Sequence, residues 1–251
     1  AQLGTAIVPA FTRGPATLAM SVASLAEAAP GRFTLGIGAS SNVIVERWNA
    51  VPFEAPYARV RDTLRFLRRA LAGEKVDERY ASFAVQGFRL QMAPLAKRPP
   101  ILLAALREGM LRLAGREGDG AILNWLSAED VKRVAPLVHA GGPGKQIVAR
   151  LFVIPTADRA LARAIGRRAA AAYLTVPVYA AYHEWLGRGD VVAKVSGLWN
   201  AGDRKAAVEA IPDAVVDEIV IHGAPEACRE HVERYRAAGV MLPVLALLHA
   251  D

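Results

Sequence analysis

Apolar and polar positions alternate along this chain with two periods, and stretches of one period follow stretches of the other. Leu3 to Val8 is a short apolar run closed by Pro9, which reads as a buried strand. Pro15 holds a favoured first-turn position, and Ala16 to Ala29 continue a helix that Pro30-Gly31 stops. Phe33 to Gly38 reads as a second strand. Strand, helix and strand with short links form a parallel crossover unit.

The alternation recurs. From Tyr57 to Leu71, the residues Val60, Leu64, Leu67 and Leu71 share one face of an amphipathic helix and arginines fill the other. Residues 76–90 alternate loosely around a glycine, which predicts a β-hairpin. Strands are expected at 101–105, 120–124 and 147–154, with helices at 108–116, 128–138 and 157–172. Residues 174–238 read as mostly helical, broken by Pro177, Gly187, Gly189, Gly202, Pro212 and Pro225. A last strand is expected at 242–248. Six core strands result, and an eight-stranded barrel needs two more.

The 251 residues suit one large α/β domain, and 53% hydrophobic against 22% charged residues argues against disorder. No apolar run has transmembrane length and no signal-peptide layout opens the chain, so no membrane partner is expected. The one cysteine, Cys228, excludes an internal disulfide and cysteine-cluster metal sites, and a cytoplasmic setting is expected. The net charge of +7 raises the question of nucleic acid. The basic residues are dispersed over helix faces (Arg59, Arg61, Arg65, Arg68, Arg69; Arg163, Arg167, Arg168), as on solvated surfaces, so no nucleic-acid partner is expected. The same field favours a polyanionic small ligand.

In parallel α/β folds, sites form at the carboxyl ends of strands. Here those ends hold Val8-Pro9-Ala10-Phe11-Thr12-Arg13, Ala39-Ser40-Ser41-Asn42, Ala105-Leu106-Arg107-Glu108, Asn124-Trp125 and Pro155-Thr156. Small residues dominate and histidine is missing, which fits a flat, largely apolar ligand better than a hydrolytic or metal centre. His139, His183, His222, His231 and His249 show no ligand spacing. Each residue also has a plain structural role open to it. Gly36 and Gly38 serve packing or ligand contact, Ser40, Ser41 and Asn42 serve as turn and cap residues, and Trp125 serves packing or stacking.

The segments LGTAIVPAFTRGPATLA, RFTLGIGASSNVIVERWNAVPFEAPYARVRDTLRFLRRALAG and PPILLAALREGMLRLAGREGDGAILNW resemble the bacterial-luciferase-like superfamily. Within it they resemble the branch that uses coenzyme F-420, an 8-hydroxy-5-deazaflavin. The resemblance implies a (β/α)8 TIM barrel with insertions, in which LGTAIV is the third strand. Two strand-helix units are then expected ahead of Ala1, in a single domain over 1–251 with a helical insertion near 174–221.

The resemblance further implies hydride transfer between the deazaflavin and a small-molecule substrate. A bulge at Ala6-Ile7, with a non-prolyl cis peptide, is expected to back the ring. Ala39, Ser40 and Ser41 are expected to face the ring or tail, and Ala105, Leu106 and Arg107 to suit the tail phosphate. Asn124 and Trp125 are expected to border the same groove. No catalytic acid or base is identifiable. Tyr179, Tyr182, His183, Trp185 and Trp199 either shape a substrate pocket or pack helices. Members are often homodimers. Two other readings compete: an FMN-dependent luciferase-like monooxygenase, and a non-catalytic binding homologue.

Overall fold

The structure is a computed structural model that describes residues 1–249; the last two residues of the domain expected over 1–251 lie outside the described residues. The chain divides into two compact units. The first comprises residues 1–105, 109–122 and 138–145; the second comprises 106–108, 123–137 and the remainder from 146.

In the first unit the central strand is β3 (Phe33–Gly38), which is buried along nearly its whole length. It pairs in parallel with β1 (Leu3–Gly4) through Leu3↔Phe33, and with β2 (Val8–Pro9) through Val8↔Ile37. On its other flank it pairs with β6 (Ile101–Ala104), which pairs with β7 (Gly120–Asn124). α1 (Pro15–Ala28) and α2 (Pro56–Leu71) link or follow these strands, and β4 (Val76–Arg79) with β5 (Ala84–Phe88) forms the expected antiparallel hairpin. α2 buries Val60, Leu64, Leu67 and Leu71, the face expected from the period. Its buried Asp62 accepts hydrogen bonds from the backbone and hydroxyl of Ser82 at 2.9 and 3.0 Å, fastening the hairpin tip.

The strand expected over 3–8 is two pieces. The peptide between Ala6 and Ile7 is cis, as the resemblance implied. Thr5 N still donates to Thr34 O at 3.2 Å; ladder pairing to β3 then lapses until Val8, and the Thr5 side chain stands in for it. Its hydroxyl accepts from Gly36 N and donates to Gly36 O, each at 2.9 Å. This leaves no room for a side chain at Gly36, where a Cβ would lie 2.1 Å from Thr5 O and 2.5 Å from Ile122 Cδ1. The burial expected of that strand is also corrected: Leu3 is 57% exposed, because β1 is only two residues long and pairs with β3 alone among the described residues.

In the second unit β8 (Gln146–Ile154) pairs in parallel with β10 (Leu242–Leu247) and with β9 (Val220–His222). β9 lies inside the stretch read as helical. It follows α9 (Asp213–Ile219) without a break, so the apolar run of the helix passes directly into the strand. α5 (Arg159–Leu174), α6 (Pro177–Trp185), α7 (Gly189–Asn200) and α8 (Arg204–Glu209) pack with α9 around Phe152, Leu174, Val195 and Val216. α4 (Ala128–His139) and α10 (Pro225–Ala237) complete the unit's helices, and α3 (Glu108–Arg116) follows β6.

Candidate functional site

At the carboxyl end of β3 in the first unit, the side chains of Ile7 and Ala104 converge on Gly38. A Cβ at Gly38 would lie 2.8 Å from Ala104 Cβ and 3.4 Å from Ile7 Cδ1, so Gly38 closes the contact between β2, β3 and β6. The packing role open to Gly36 and Gly38 is therefore occupied. Beside this contact Ala6 is exposed and Ile7 half-buried, while Ala105 is buried. Ala39, Ser40 and Ser41 follow β3 and are all half-buried.

Ser40 takes a left-handed backbone with φ 67°, which turns the chain sharply after the strand. Ser41 begins a short π-helical turn at Val43–Arg47: its carbonyl accepts from Val45 N at 2.9 Å. Asn42 makes no side-chain capping bond. From Ala39 to Asn42 the chain offers a methyl, two hydroxyls, an amide and backbone, free of acidic side chains.

The second unit holds the other expected contacts. Leu106 is half-buried, and Arg107 is exposed immediately before Glu108 opens α3. An acidic residue in that first turn competes with an anion for the helix start. Asn124 ends β7, and its Nδ2 donates to the Tyr179 hydroxyl at 3.0 Å. Burial pushes the Tyr179 phenol up from its ordinary value, so it stays protonated and able to donate.

Trp125 has a left-handed φ of 53° and is 2% exposed. Its ring stacks on Phe152 at 4.0 Å and meets Tyr173 at 4.7 Å, while Tyr173 meets Tyr179 edge-on at 5.0 Å. The indole ring thus packs. Two polar atoms are left over, Asn124 Oδ1 and Trp125 Nε1, both buried without a hydrogen-bond partner. Such orphans mark places where a ligand or water completes the bonding.

Phe152 and Tyr173 belong to this aromatic wall and were not singled out by sequence. Tyr179 was singled out only among residues that shape a pocket or pack. The available signal was the Tyr173–Tyr179 pair astride the break between α5 and α6. No cluster of three or more metal-ligating side chains exists among the described residues. No helix among them is long and apolar enough to cross a membrane.

Parallel strands, most of them leading into a helix, with small residues at several carboxyl ends define an α/β protein. Residues 2–242 match the family described as luciferase-like monooxygenase, and the chain belongs to that family. A protein of Mycobacterium tuberculosis named as a coenzyme F420-dependent oxidoreductase is 28% identical over 285 residues, covering 100% of this chain and 80% of that protein. The 5,10-methylenetetrahydromethanopterin reductase of Archaeoglobus fulgidus is 28% identical over 250 residues, covering 95% of this chain and 74% of the reductase. Among solved structures, the coenzyme F420-dependent tetrahydromethanopterin reductase from Methanopyrus kandleri superposes with a TM-score of 0.74 at 19% identity, over 98% of this chain and 77% of that one. The expected α/β class is thereby met.

Proposed function

We propose that this chain is a coenzyme F420-dependent oxidoreductase that transfers a hydride between the deazaflavin and a small organic substrate. The observation that carries the reading is the bulge at Ala6-Ile7 set beside Gly38 and Ala104, with Ala39–Ser41 half-buried next to it. A flat ring needs a low face: Ala6 offers only a methyl, and Gly38 lets Ala104 and Ile7 close against β3. The relatives' names support the choice of cofactor.

The residues present fit the group. Ala6 and Ile7 would back the ring, Ala39, Ser40 and Ser41 would border it, and Ala105 keeps the adjoining strand end narrow. When bound, the deazaflavin supplies the hydride donor or acceptor. In the second unit, taken by itself, Arg107 would offer charge to a phosphate group and Leu106 would cover apolar surface. Asn124 and Trp125 contribute one acceptor and one donor that need a partner. The Tyr179 hydroxyl holds Asn124 in its orientation. The reading brings with it a (β/α)8 barrel and a cytoplasmic setting.

Fluorescence titration with coenzyme F420 and, separately, with FMN tests this. A dissociation constant of about 1 μM or below is expected for the deazaflavin, with FMN weaker by about tenfold or more. Binding of FMN alone would move the chain to the oxygen-using monooxygenases. Binding of neither would leave a non-catalytic homologue.

A further inference from the structure

One polar cleft is lined by none of the residues assigned above. It has a volume of about 630 Å³ and is lined by Arg159, Asp217, His222, Ala227, Glu230, His231 and Arg234. Ala227, Glu230, His231 and Arg234 follow the i, i+3, i+4, i+7 spacing, so one face of α10 forms a wall. The facing wall comes from the first residue of α5, from α9 and from the end of β9.

The side chains here are arranged rather than scattered. Arg163 grips Asp217 with two hydrogen bonds, Nε to Oδ1 at 3.0 Å and Nη2 to Oδ2 at 2.6 Å. Asp217 Oδ1 in turn holds His222 Nε2 at 2.8 Å. The Arg163 guanidinium, with His222 also contributing, keeps the Asp217 carboxyl down at about 2, so it is charged and acts as acceptor. His222 Nε2 therefore carries the hydrogen, and Nδ1 is left over.

His231 is 7% exposed, stacks on Tyr235 at 5.6 Å and has no hydrogen-bond partner among the described residues. Arg159 and Arg234 are exposed and have no carboxylate within ion-pair distance among the described residues. A buried imidazole without a partner and two free guanidiniums face one cavity. No group of three or more His, Cys, Asp or Glu side chains placed to hold a metal ion is found among the described residues.

We propose that this cleft binds a phosphate group, carried by a small organic ester. Arg159 and Arg234 supply charge and forked donors to the phosphate oxygens. His231 and His222 offer hydrogen bonds to the remainder of the ligand. The cavity is several times larger than a bare phosphate needs, which is why an ester is favoured over the free ion. Glu230, exposed at the same wall, opposes the anion, as does the charged Asp217, whose carboxylate is engaged by Arg163 and His222.

Isothermal titration of the full chain, without added cofactor, uses glycerol 3-phosphate and inorganic phosphate as probes. Glycerol 3-phosphate is expected to bind in the range of about 0.1–1 mM, tighter than inorganic phosphate. Equal affinity overturns the assignment to an ester. Arg159→Ala and Arg234→Ala are each expected to weaken binding about tenfold, and Glu230→Gln to tighten it. Arg229→Ala removes the same charge from α10 outside the cleft and is expected to change nothing. Both arginines are exposed, so the fold tolerates their loss, and melting curves verify it. No binding below about 10 mM, or equal weakening by Arg229→Ala, overturns the proposal. Competition by coenzyme F420 also overturns it, because the cleft would then belong to the cofactor; a failed cofactor titration leaves it standing.

Discussion

Replacing Asp130 by alanine is expected to lower the unfolding free energy by about 3–5 kcal/mol. Asp130 is 4% exposed and accepts from the backbone of Ser127 at 2.8 Å and from Arg188 Nη2 at 2.7 Å. Ser127 Oγ accepts in return from Asp130 N at 3.1 Å, so the pair satisfies two donors at the start of α4. Arg188 also reaches Glu218 at 3.0 Å, and its Nη1 is buried without a partner. The pair is not a simple source of stability, since bringing both charges out of water costs nearly as much as their attraction returns. Removing one partner is different, because it strands the other charge in the interior.

Arg188→Ala should therefore cost a similar amount, and the double variant should fall short of the sum by about 1–3 kcal/mol. Urea unfolding of the four proteins measures this. For a chain of this size the Asp130→Ala melting temperature should drop by roughly 10 °C. Additive single effects would mean that the two side chains are not coupled.

Acid is expected to destabilise the fold well before the carboxylates titrate. Burial holds His183 and His231 down at about 4, against 6.5 for an ordinary imidazole. Arg188 adds to burial at His183, with Asp130 opposing; Arg234 and His222 add to it at His231, with Asp217 opposing. Between pH 6.5 and 4 the unfolded chain takes up protons that the folded chain refuses. Their contribution is thus fully present above pH 6.5 and is lost as pH falls toward 4. Each histidine accounts for on the order of 3 kcal/mol. Asp217 acts lower, with its stabilisation present above about pH 4 and lost as pH falls toward about 2. Urea midpoints at several pH values from about 7 to 4.5 should fall steadily, and His183→Phe should remove about half of the slope. A flat midpoint across that window would refute the buried, neutral assignment.

Much of the framework was legible because period and punctuation agree. Pro15, Pro30-Gly31, Gly73 and Pro99-Pro100 bracket α1, β3, α2 and β6 to within a residue or two. β9 was hidden because three residues carry no period of their own and α9 runs into it. The split of the first strand was invisible to hydropathy: Thr5, Ala6 and Ile7 read as strand, and only the family resemblance pointed to a bulge there. The small-residue strand ends were legible at Ala39–Ser41, since such residues leave room wherever they occur. The aromatic wall of Phe152, Tyr173 and Tyr179 was not, because Phe152 lies on a strand far along the chain from the two helices that supply the tyrosines, and packing at such separation leaves no local signal. Trp125 shows the limit of residue type as a guide: its ring fills core, while its nitrogen is the atom that lacks a partner.

Cys228 gives the chain its own stopwatch. The thiol is 8% exposed, lies 3.5 Å from Gly223 O as its donor, and is pushed up by burial above its ordinary value. It is the single cysteine in 251 residues. A colorimetric disulfide reagent can react only when α10 lifts away from the turn after β9, so every labelled molecule records one such opening. The rate of colour development, compared with that of the urea-unfolded chain, then times the breathing of this corner without any engineered probe.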